Sequence, residues 1–539
     1  MAMLRTPLQM VMDGVSTWPD REILTFVDVR SDGSLGKETR TFAALLERAK
    51  LLAGALLAEG MAASEPFAII MPNHPEFVEA IVASEIAGTV FVPIDPRTRG
   101  EKLAYMLRFA GCRGAIVSTD VVPALRPLLG DLPDLRWLWV LGDNESDGIA
   151  HSLESVISRS RPAVIVAPRL LTDTMQMLYT SGTTGDPKAI QSPYSRFARI
   201  GALGDTIGLT PQDRPYTGLS LTHANAQLIT LGNALGMGLP LTISRQFTKS
   251  RLWEILARHE CTTFNLLGGM ATAIFAEDEG PWDRAHKVRY VLSAGMPAAL
   301  WRPFEERFGV RIFEFFGAAE GGLTMNAPGE GPIGSVGKAP AGTICAILAE
   351  DDGECGPGVH GEICFRNADG SVALVSYYQN ADASVAKTRG GWFRTGDIGY
   401  KDKDGWVFFS HRAGQSVRRN GNFISTGDIE TVIATFPGVA DTYVYGVSTP
   451  ANTPGEKEVV AAIVPQSGDL FDPLAIFSYC AEKLGSTSVP SFVQIVHEIP
   501  KTASEKPQER YLVTMIGSAG TLFDRAGPTT INLNERERP

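Results

Sequence analysis

Leu178-Tyr-Thr-Ser-Gly-Thr-Thr-Gly-Asp-Pro-Lys188 is the most informative stretch of the chain. Hydroxyls and glycines alternate in it, so that backbone N–H groups, Ser and Thr hydroxyls and one lysine can converge on an anion. Glycine permits close backbone approach and positive φ, and Lys188 adds a full charge. The apolar lead-in Met175–Tyr179 is short enough for a strand that feeds the loop. No G-x-x-x-x-G-K-[ST] string occurs, so this is not a Walker A loop. A surface turn is the bland alternative, but the length and order of the string favour a phosphate cradle.

The sequence upstream alternates helix and strand patterns. Phe42, Leu45, Leu46, Ala49, Leu52, Ala53 and Leu56 recur at helical spacing, and Pro66–Pro72 reads as a buried strand. A helix over Pro75–Ala87, a strand over Val90–Ile94, a helix over Glu101–Ala110 and a strand over Gly114–Val117 follow. Such alternation implies parallel sheets covered by helices. From about residue 330 short strands and turns dominate, through Glu362–Phe365 and Gly405–Phe409, and this β-rich texture ends near Arg412. A compact αβ stretch follows, with strands near Thr442–Val447 and Glu458–Val464. The expected fold is therefore α/β: a large N-terminal domain over 1–413, with helix-covered parallel sheets and a β-rich subdomain, then a small α+β domain over 416–539. The last ~25 residues are expected to be an irregular tail.

At 539 residues the chain exceeds one ordinary core. Its net charge of −11 gives no support for binding nucleic acid or an anionic membrane. Cys112, Cys261, Cys345, Cys355, Cys364 and Cys480 are scattered and form no C-x-x-C pair, so they read as reduced and mostly buried. There is no apolar run of about 18 residues and no signal-type apolar core, so the expectation is a cytoplasmic enzyme without a membrane span.

The loop closely resembles the phosphate-binding loop of the adenylate-forming superfamily, which comprises acyl-CoA synthetases, peptide-synthetase adenylation domains and luciferases. Further family motifs follow in order over nearly the whole chain. Leu219-Ser-Leu-Thr-His223 is similar to the segment beside the acyl pocket, and Leu292-Ser-Ala-Gly-Met-Pro297 to the glycine turn along the adenine. Glu314-Phe-Phe-Gly-Ala-Ala-Glu320 resembles the tyrosine-glycine-x-threonine-glutamate signature, and Gly391-Trp-Phe-Arg-Thr-Gly-Asp397 the ribose motif. His411-Arg412 through Glu430 resembles the hinge and its following loop. Ile499-Pro-Lys-Thr-Ala-Ser-Glu-Lys506 resembles the C-terminal catalytic lysine motif.

The resemblance implies ATP, Mg²⁺ and coenzyme A as cofactor and co-substrates, with a small carboxylic acid as partner. A second copy of the chain, as a homodimer, is a further partner the resemblance leaves open. Thr180, Ser181, Gly182, Thr183, Thr184 and Lys188 would hold the phosphates. Gly295, Glu314, Phe316 and Gly317 would frame the adenine, Asp397 and Arg412 the ribose. Glu320, with Thr184 near the same ion, would hold Mg²⁺. His223 would gate the acyl site, and Gly421 would approach the pantetheine once the small domain has rotated. Lys506 would bridge the α-phosphate and the attacking carboxylate. Alone it reads as a solvated lysine, since lysines are normally exposed, and Lys501 is expected to matter less.

Several positions depart from the family pattern. Ala319 stands where threonine is usual, Phe316 where tyrosine is, Ala189 where glycine is, Gln415 where aspartate or lysine is, and Glu505 where glycine is; Pro507 follows the lysine. No carrier-protein segment is visible, so free CoA is the expected acceptor. His223-Ala-Asn-Ala-Gln227, Arg418–Ile424 and Leu522-Phe-Asp-Arg525 most resemble crotonobetaine/carnitine–CoA ligase-like proteins. The implied function is ATP-dependent acid–CoA ligation through an acyl-adenylate. The alternatives are another acceptor, such as a carrier protein or an amine, or a nucleotide-binding pseudoenzyme. Gly329-Glu-Gly-Pro-Ile-Gly334 formally fits G-x-G-x-x-G but reads as a turn.

Overall fold

The computed structural model describes residues 4–142, 148–164, 168–180, 187–372, 375–413, 417–419, 422–424, 426–450, 452, 456–466, 471–484, 488–501, 507–516, 521–531 and 533. The chain forms two compact units. One comprises residues 1–265, 285–288 and 374–386; the other comprises 266–284, 289–373 and 387–539.

The first unit is built on a seven-stranded sheet. Its strands are β1 (Pro66–Ile70), β2 (Val90–Pro93), β3 (Gly114–Ser118), β4 (Trp137–Leu141), β5 (Ala150–Ser152), β6 (Thr174–Thr180) and β7 (Lys188–Pro193). They lie in the order β5-β4-β3-β1-β2-β6-β7. All neighbours are parallel except the β6–β7 hairpin. The core of this sheet joins Ile70, Val92, Leu103, Val117 and Val140. A second set of strands places Thr263–Leu267, Pro215–Thr217, Leu241–Ser244 and Glu22–Val29 in parallel, with Leu35–Thr41 antiparallel at the edge.

The helices begin and end where local chemistry says they should. Thr41 Oγ1 accepts the Ala44 N–H and caps Phe42–Ala58. Helix Pro75–Ala87 starts with proline in its first turn and ends at Gly88 in the left-handed conformation, with φ 76°. All thirteen of its residues are buried, so the helix is enclosed on every side. The glutamates it carries are accommodated by ion pairs and backbone donors: Glu76 and Glu79 take Arg40 and Arg48, and Glu85 takes the Leu8 N–H.

The second unit contains the parallel pair Tyr290–Ala294 and Arg311–Phe316, with Thr324–Asn326 antiparallel to the latter. An antiparallel four-stranded sheet follows, from Thr343–Leu348 through Gly361–Asn367 and Phe393–Lys401 to Val407–Arg412. A five-stranded sheet then runs from Val439–Val447 and Glu458–Pro465 to Phe492–Ile495, Leu522–Asp524 and Gly527–Pro528. Helices Thr426–Ile433 and Ala475–Leu484 contribute to one of its cores, and Glu509–Met515 to another. The chain is thus a mixed α/β protein with helix-covered parallel sheets and a separate C-terminal sheet.

One expectation is corrected. The final segment is not simply an irregular tail, because residues 522–528 supply two strands to the last sheet. Leu522 is buried there, and Ile531 and Leu533 pack against the same core. The cysteines are free, all buried but Cys355. Among the described residues no helix is long and apolar enough to cross a membrane.

Candidate active site

In the first unit the two ends of the phosphate-loop string lie on paired antiparallel strands. Thr180 at the end of β6 faces Lys188 at the start of β7. Ser181, Gly182, Thr183 and Thr184 lie outside the described residues. Lys188 is exposed, and its Nζ stands 5.7 Å from the centre of the Tyr377 ring, within cation–π range.

The strand that carries this loop is tied to the His223 segment. Buried Gln176 in β6 donates through Nε2 to Gln227 Oε1 at 2.5 Å. Gln227 belongs to a π-helix over Asn225–Leu231, a geometry that recurs at functional sites. His223 lies two residues before this helix. Its Nδ1 accepts the Asn225 N–H at 3.2 Å, and its carbonyl accepts the Gln227 N–H at 3.0 Å. With Nδ1 an acceptor, the neutral ring carries its proton on Nε2. Asn225 Oδ1 in turn accepts from Asn265 Nδ2 at 2.5 Å.

Asn73 completes the arrangement. Its buried amide donates to the carbonyls of Leu219 and Ser244 and accepts the Leu221 N–H, all at 2.8–2.9 Å. It therefore fixes the loop leading to His223. Its only sequence signal is an amide between a strand-ending proline and a helix-starting one.

In the second unit Glu314 is buried, and its carboxylate accepts backbone N–H groups of Gly295 (2.5 Å) and Met296 (3.2 Å). Burial pushes this carboxyl up to about 8, with those backbone donors pulling the other way. Glu314 thus braces the Gly295 turn, a role the motif pattern alone does not disclose. Gly295 has φ 99°, and a Cβ at Gly268 would lie 2.2 Å from the Gly295 carbonyl oxygen. Two backbones approach here as only glycine permits.

Phe316 is half-buried and stacks on Phe365 and Phe409, with ring centres 6.3 and 6.1 Å apart. Gly317 follows it, exposed, at the end of the strand. Ala318 and Gly321 then exchange backbone hydrogen bonds at 3.0 and 3.2 Å. This turn sets Ala319 and half-buried Glu320 at its tip.

The ribose motif is braced on both sides. Glu362 accepts the Gly396 N–H at 2.9 Å and Arg394 Nη1 at 3.1 Å, while Lys387 Nζ donates to the carbonyls of Arg394 and Thr395. Thr395 Oγ1 donates to the Ile363 carbonyl and accepts the Asp397 N–H. Asp397, only 5% exposed, lies opposite Arg412 in strand register and accepts its Nε–H at 3.0 Å. The pair that the motifs separate by fifteen positions is therefore one unit.

Lys506 and Gly421 lie outside the described residues. The segment holding Lys506 is nevertheless bracketed, because Lys501 and Pro507 form a β-bridge and Gln508 donates to the Pro500 and Lys501 carbonyls. Lys501 itself is mostly buried and pairs with Asp441 at 2.5 Å, a structural occupation for the nearby lysine.

The solved structure of the anthranilate CoA ligase AuaEII with anthranoyl-AMP superposes with a TM-score of 0.84 at 23% identity, covering 95% of this chain and 97% of that one. The fold is that of the adenylate-forming enzymes. Residues 13–376 match the model described as AMP-binding enzyme, and residues 428–506 match the AMP-binding enzyme C-terminal domain. The chain belongs to the AMP-binding enzyme family. Its curated relatives include the sulfoacetate–CoA ligase of Cupriavidus necator, 28% identical over 92% of this chain and 95% of the relative. The crotonobetaine/carnitine–CoA ligase of Salmonella choleraesuis is 26% identical over 86% and 91%.

Proposed function

We propose that this enzyme joins a carboxylic acid to coenzyme A in two steps, through an acyl-adenylate. The observation that carries the reading is that the family match spans both the AMP-binding region and the C-terminal domain. In the first step a carboxylate oxygen attacks the α-phosphorus of ATP and pyrophosphate leaves. In the second the CoA thiolate attacks the acyl carbon and AMP leaves. Both steps bring anions together, so positioning and placed positive charge dominate catalysis.

Each named residue then has a task. Lys188 and the residues of the loop from Thr180 to Thr184 hold the β- and γ-phosphates. Phe316 and the Gly295 turn, braced by Glu314, frame the adenine. Asp397 accepts the ribose hydroxyls while Arg412 holds its orientation. Mg²⁺, when bound, neutralises charge on the phosphates. Glu320 at the tip of its turn suits this ion, which takes most of its ligands from phosphates and water. Among the described residues there is no cluster of three metal-binding side chains, so the nucleotide would supply the rest, with Thr184 near the same ion. Lys506 serves the first step; rotation of the small domain over 416–539 brings Gly421 to the pantetheine for the second.

Asn225 Nδ2 and Asn265 Oδ1 are buried without hydrogen-bond partners two residues beyond His223 and on a paired strand system. Together with the relatives' names, this directs the acid panel first to short polar acids. The test is AMP release from ATP with each acid, with and without CoA. AMP release is expected to depend on both and to match thioester formation. CoA-independent transfer to a purified carrier protein or an amine would displace CoA as the acceptor.

A further inference from the structure

The seven-stranded sheet contains a second position suited to a ligand. From β1 the chain passes to β2 on one side, then crosses back to β3 on the other side of β1. These strands are parallel, so the crevice beyond the carboxyl ends of β1 and β3 is a topological switch point, where open α/β sheets bind ligands. The phosphate loop follows β6, three strand spacings or about 14 Å from β3. The nucleotide reading leaves the switch point unused.

A cleft of about 580 Å³ opens there, lined in part by Glu38, His74, Glu76, Ser118, Asp120 and Arg245. Glu76 and Ser118 are each only 5% exposed, and Glu76 Oε2 and Ser118 Oγ have no hydrogen-bond partner. Two buried oxygens without partners are costly unless something donates to them. The other Glu76 oxygen is engaged by Arg40 at 3.1 Å. Arg245 is spent on its neighbours, donating to Glu38 at 2.6 Å and contacting the His74 ring. Burial and Arg245 hold His74 down at about 4, so its ring is neutral near pH 7.

The local charge balance has a clear sign. Glu38, Glu76 and Asp120 line the cleft with one cation, Arg245, while Arg40 meets Glu38 and Glu76 from behind. Behind them Arg40 and Arg48 meet Glu79 and Glu154, which adds nothing to the net. The cleft is therefore net acidic, by between one and two charges near pH 7. Burial and Glu79 push the Glu76 carboxyl up to about 7, and a cation on its open oxygen would bring it down. No group of three metal-binding side chains occurs among the described residues. The volume is also far larger than a single ion needs, at about 30 Å³ for a water-sized group.

We propose that this switch-point cleft binds a small organic ammonium compound, whose N–H groups donate to Glu76 Oε2 and Ser118 Oγ. The site is separate from the nucleotide site, and its test does not depend on ligase activity.

The probe is 1,4-diaminobutane, titrated calorimetrically into the full chain without nucleotide or acid; 1,4-butanediol, of equal length but neutral, is the control. The diamine is expected to give saturable binding and the diol none. Glu76→Gln should weaken the diamine by more than about tenfold, as expected for a lost hydrogen bond to a charged group. Ser118→Ala should weaken it by about two- to tenfold; this change keeps the strand end packed and covers the case in which Glu76→Gln does not fold. No saturable heat with the diamine, equal binding of the diol, or parental affinity in Ser118→Ala would each overturn the proposal.

Discussion

Lys506→Ala is expected to lower acid-dependent pyrophosphate release by about 10²–10³-fold, the usual cost of removing a preorganised group that stabilises developing charge. Thioester formation from supplied acyl-AMP and CoA should stay within a few-fold of the parent. The asymmetry follows from the chemistry. In the first step two anions, carboxylate and α-phosphate, must be held together, and a lysine contacting both offsets their repulsion. In the second step the acyl group is already activated, and AMP leaves as a stable anion.

The neighbouring lysine provides the control. Lys501 is paired with Asp441 and held by the bridge to Pro507, so Lys501→Ala should affect the anchoring of the segment. It should reduce both half-reactions together or lower thermal stability, without selecting one step. Measuring pyrophosphate and CoA thioester separately in the two variants decides between these roles. Equal loss of both half-reactions in Lys506→Ala would remove the lysine from the adenylation step.

Asp397→Ala should reduce kcat/KM for ATP by at least about 10²-fold, corresponding to two hydrogen bonds to a charged group. The carboxylate is held for this task, since it is almost fully buried, its backbone N–H is tied to Thr395, and Arg412 Nε fixes one oxygen. Asp397→Asn, which keeps the shape and loses the charge, should fall between the parent and the alanine variant. Steady-state kinetics with ATP varied, alongside a thermal unfolding curve, separates a binding defect from a folding one. An unchanged KM and kcat for ATP in a folded Asp397→Ala protein would contradict the ribose assignment.

Much of the architecture is legible from local sequence because local chemistry sets it. Proline at the start and Gly88 at the end bound helix Pro75–Ala87 without reference to the rest of the chain. The apolar run Met175–Tyr179 announces β6, whose end at Thr180 pairs with Lys188 at the start of β7. The last strands were illegible for the opposite reason. Leu522–Asp524 and Gly527–Pro528 are too short to show alternation, and Leu522–Asp524 exists by pairing with Phe492–Ile495, some thirty residues earlier.

The site divides along the same line. Contiguous strings point to Lys188, Glu320 and Asp397 as candidates, each through its own motif. The residues that brace the motif segments are scattered: Asn73 fixes the approach to His223, Glu362 ties Gly396 to Arg394, and Glu314 turns inward to hold the Gly295 backbone. Such roles depend on contacts made only after folding, and residue type by itself does not signal them. The switch-point cleft is the extreme case, since Glu38, Glu76, Ser118 and Arg245 share no motif and meet only through strand order.

The central claim, activation through an acyl-adenylate, is tested most directly by the fate of a carboxylate oxygen. The acid that supports the fastest CoA-dependent AMP release is labelled with oxygen-18 in its carboxylate and turned over with ATP and CoA, and the products are weighed by mass spectrometry. Attack on the α-phosphorus makes that oxygen the bridge to AMP, and thiolate attack on the acyl carbon breaks the carbon–oxygen bond, so one labelled oxygen is expected in the AMP phosphate. Label in inorganic phosphate with formation of ADP, or unlabelled AMP, would contradict the account.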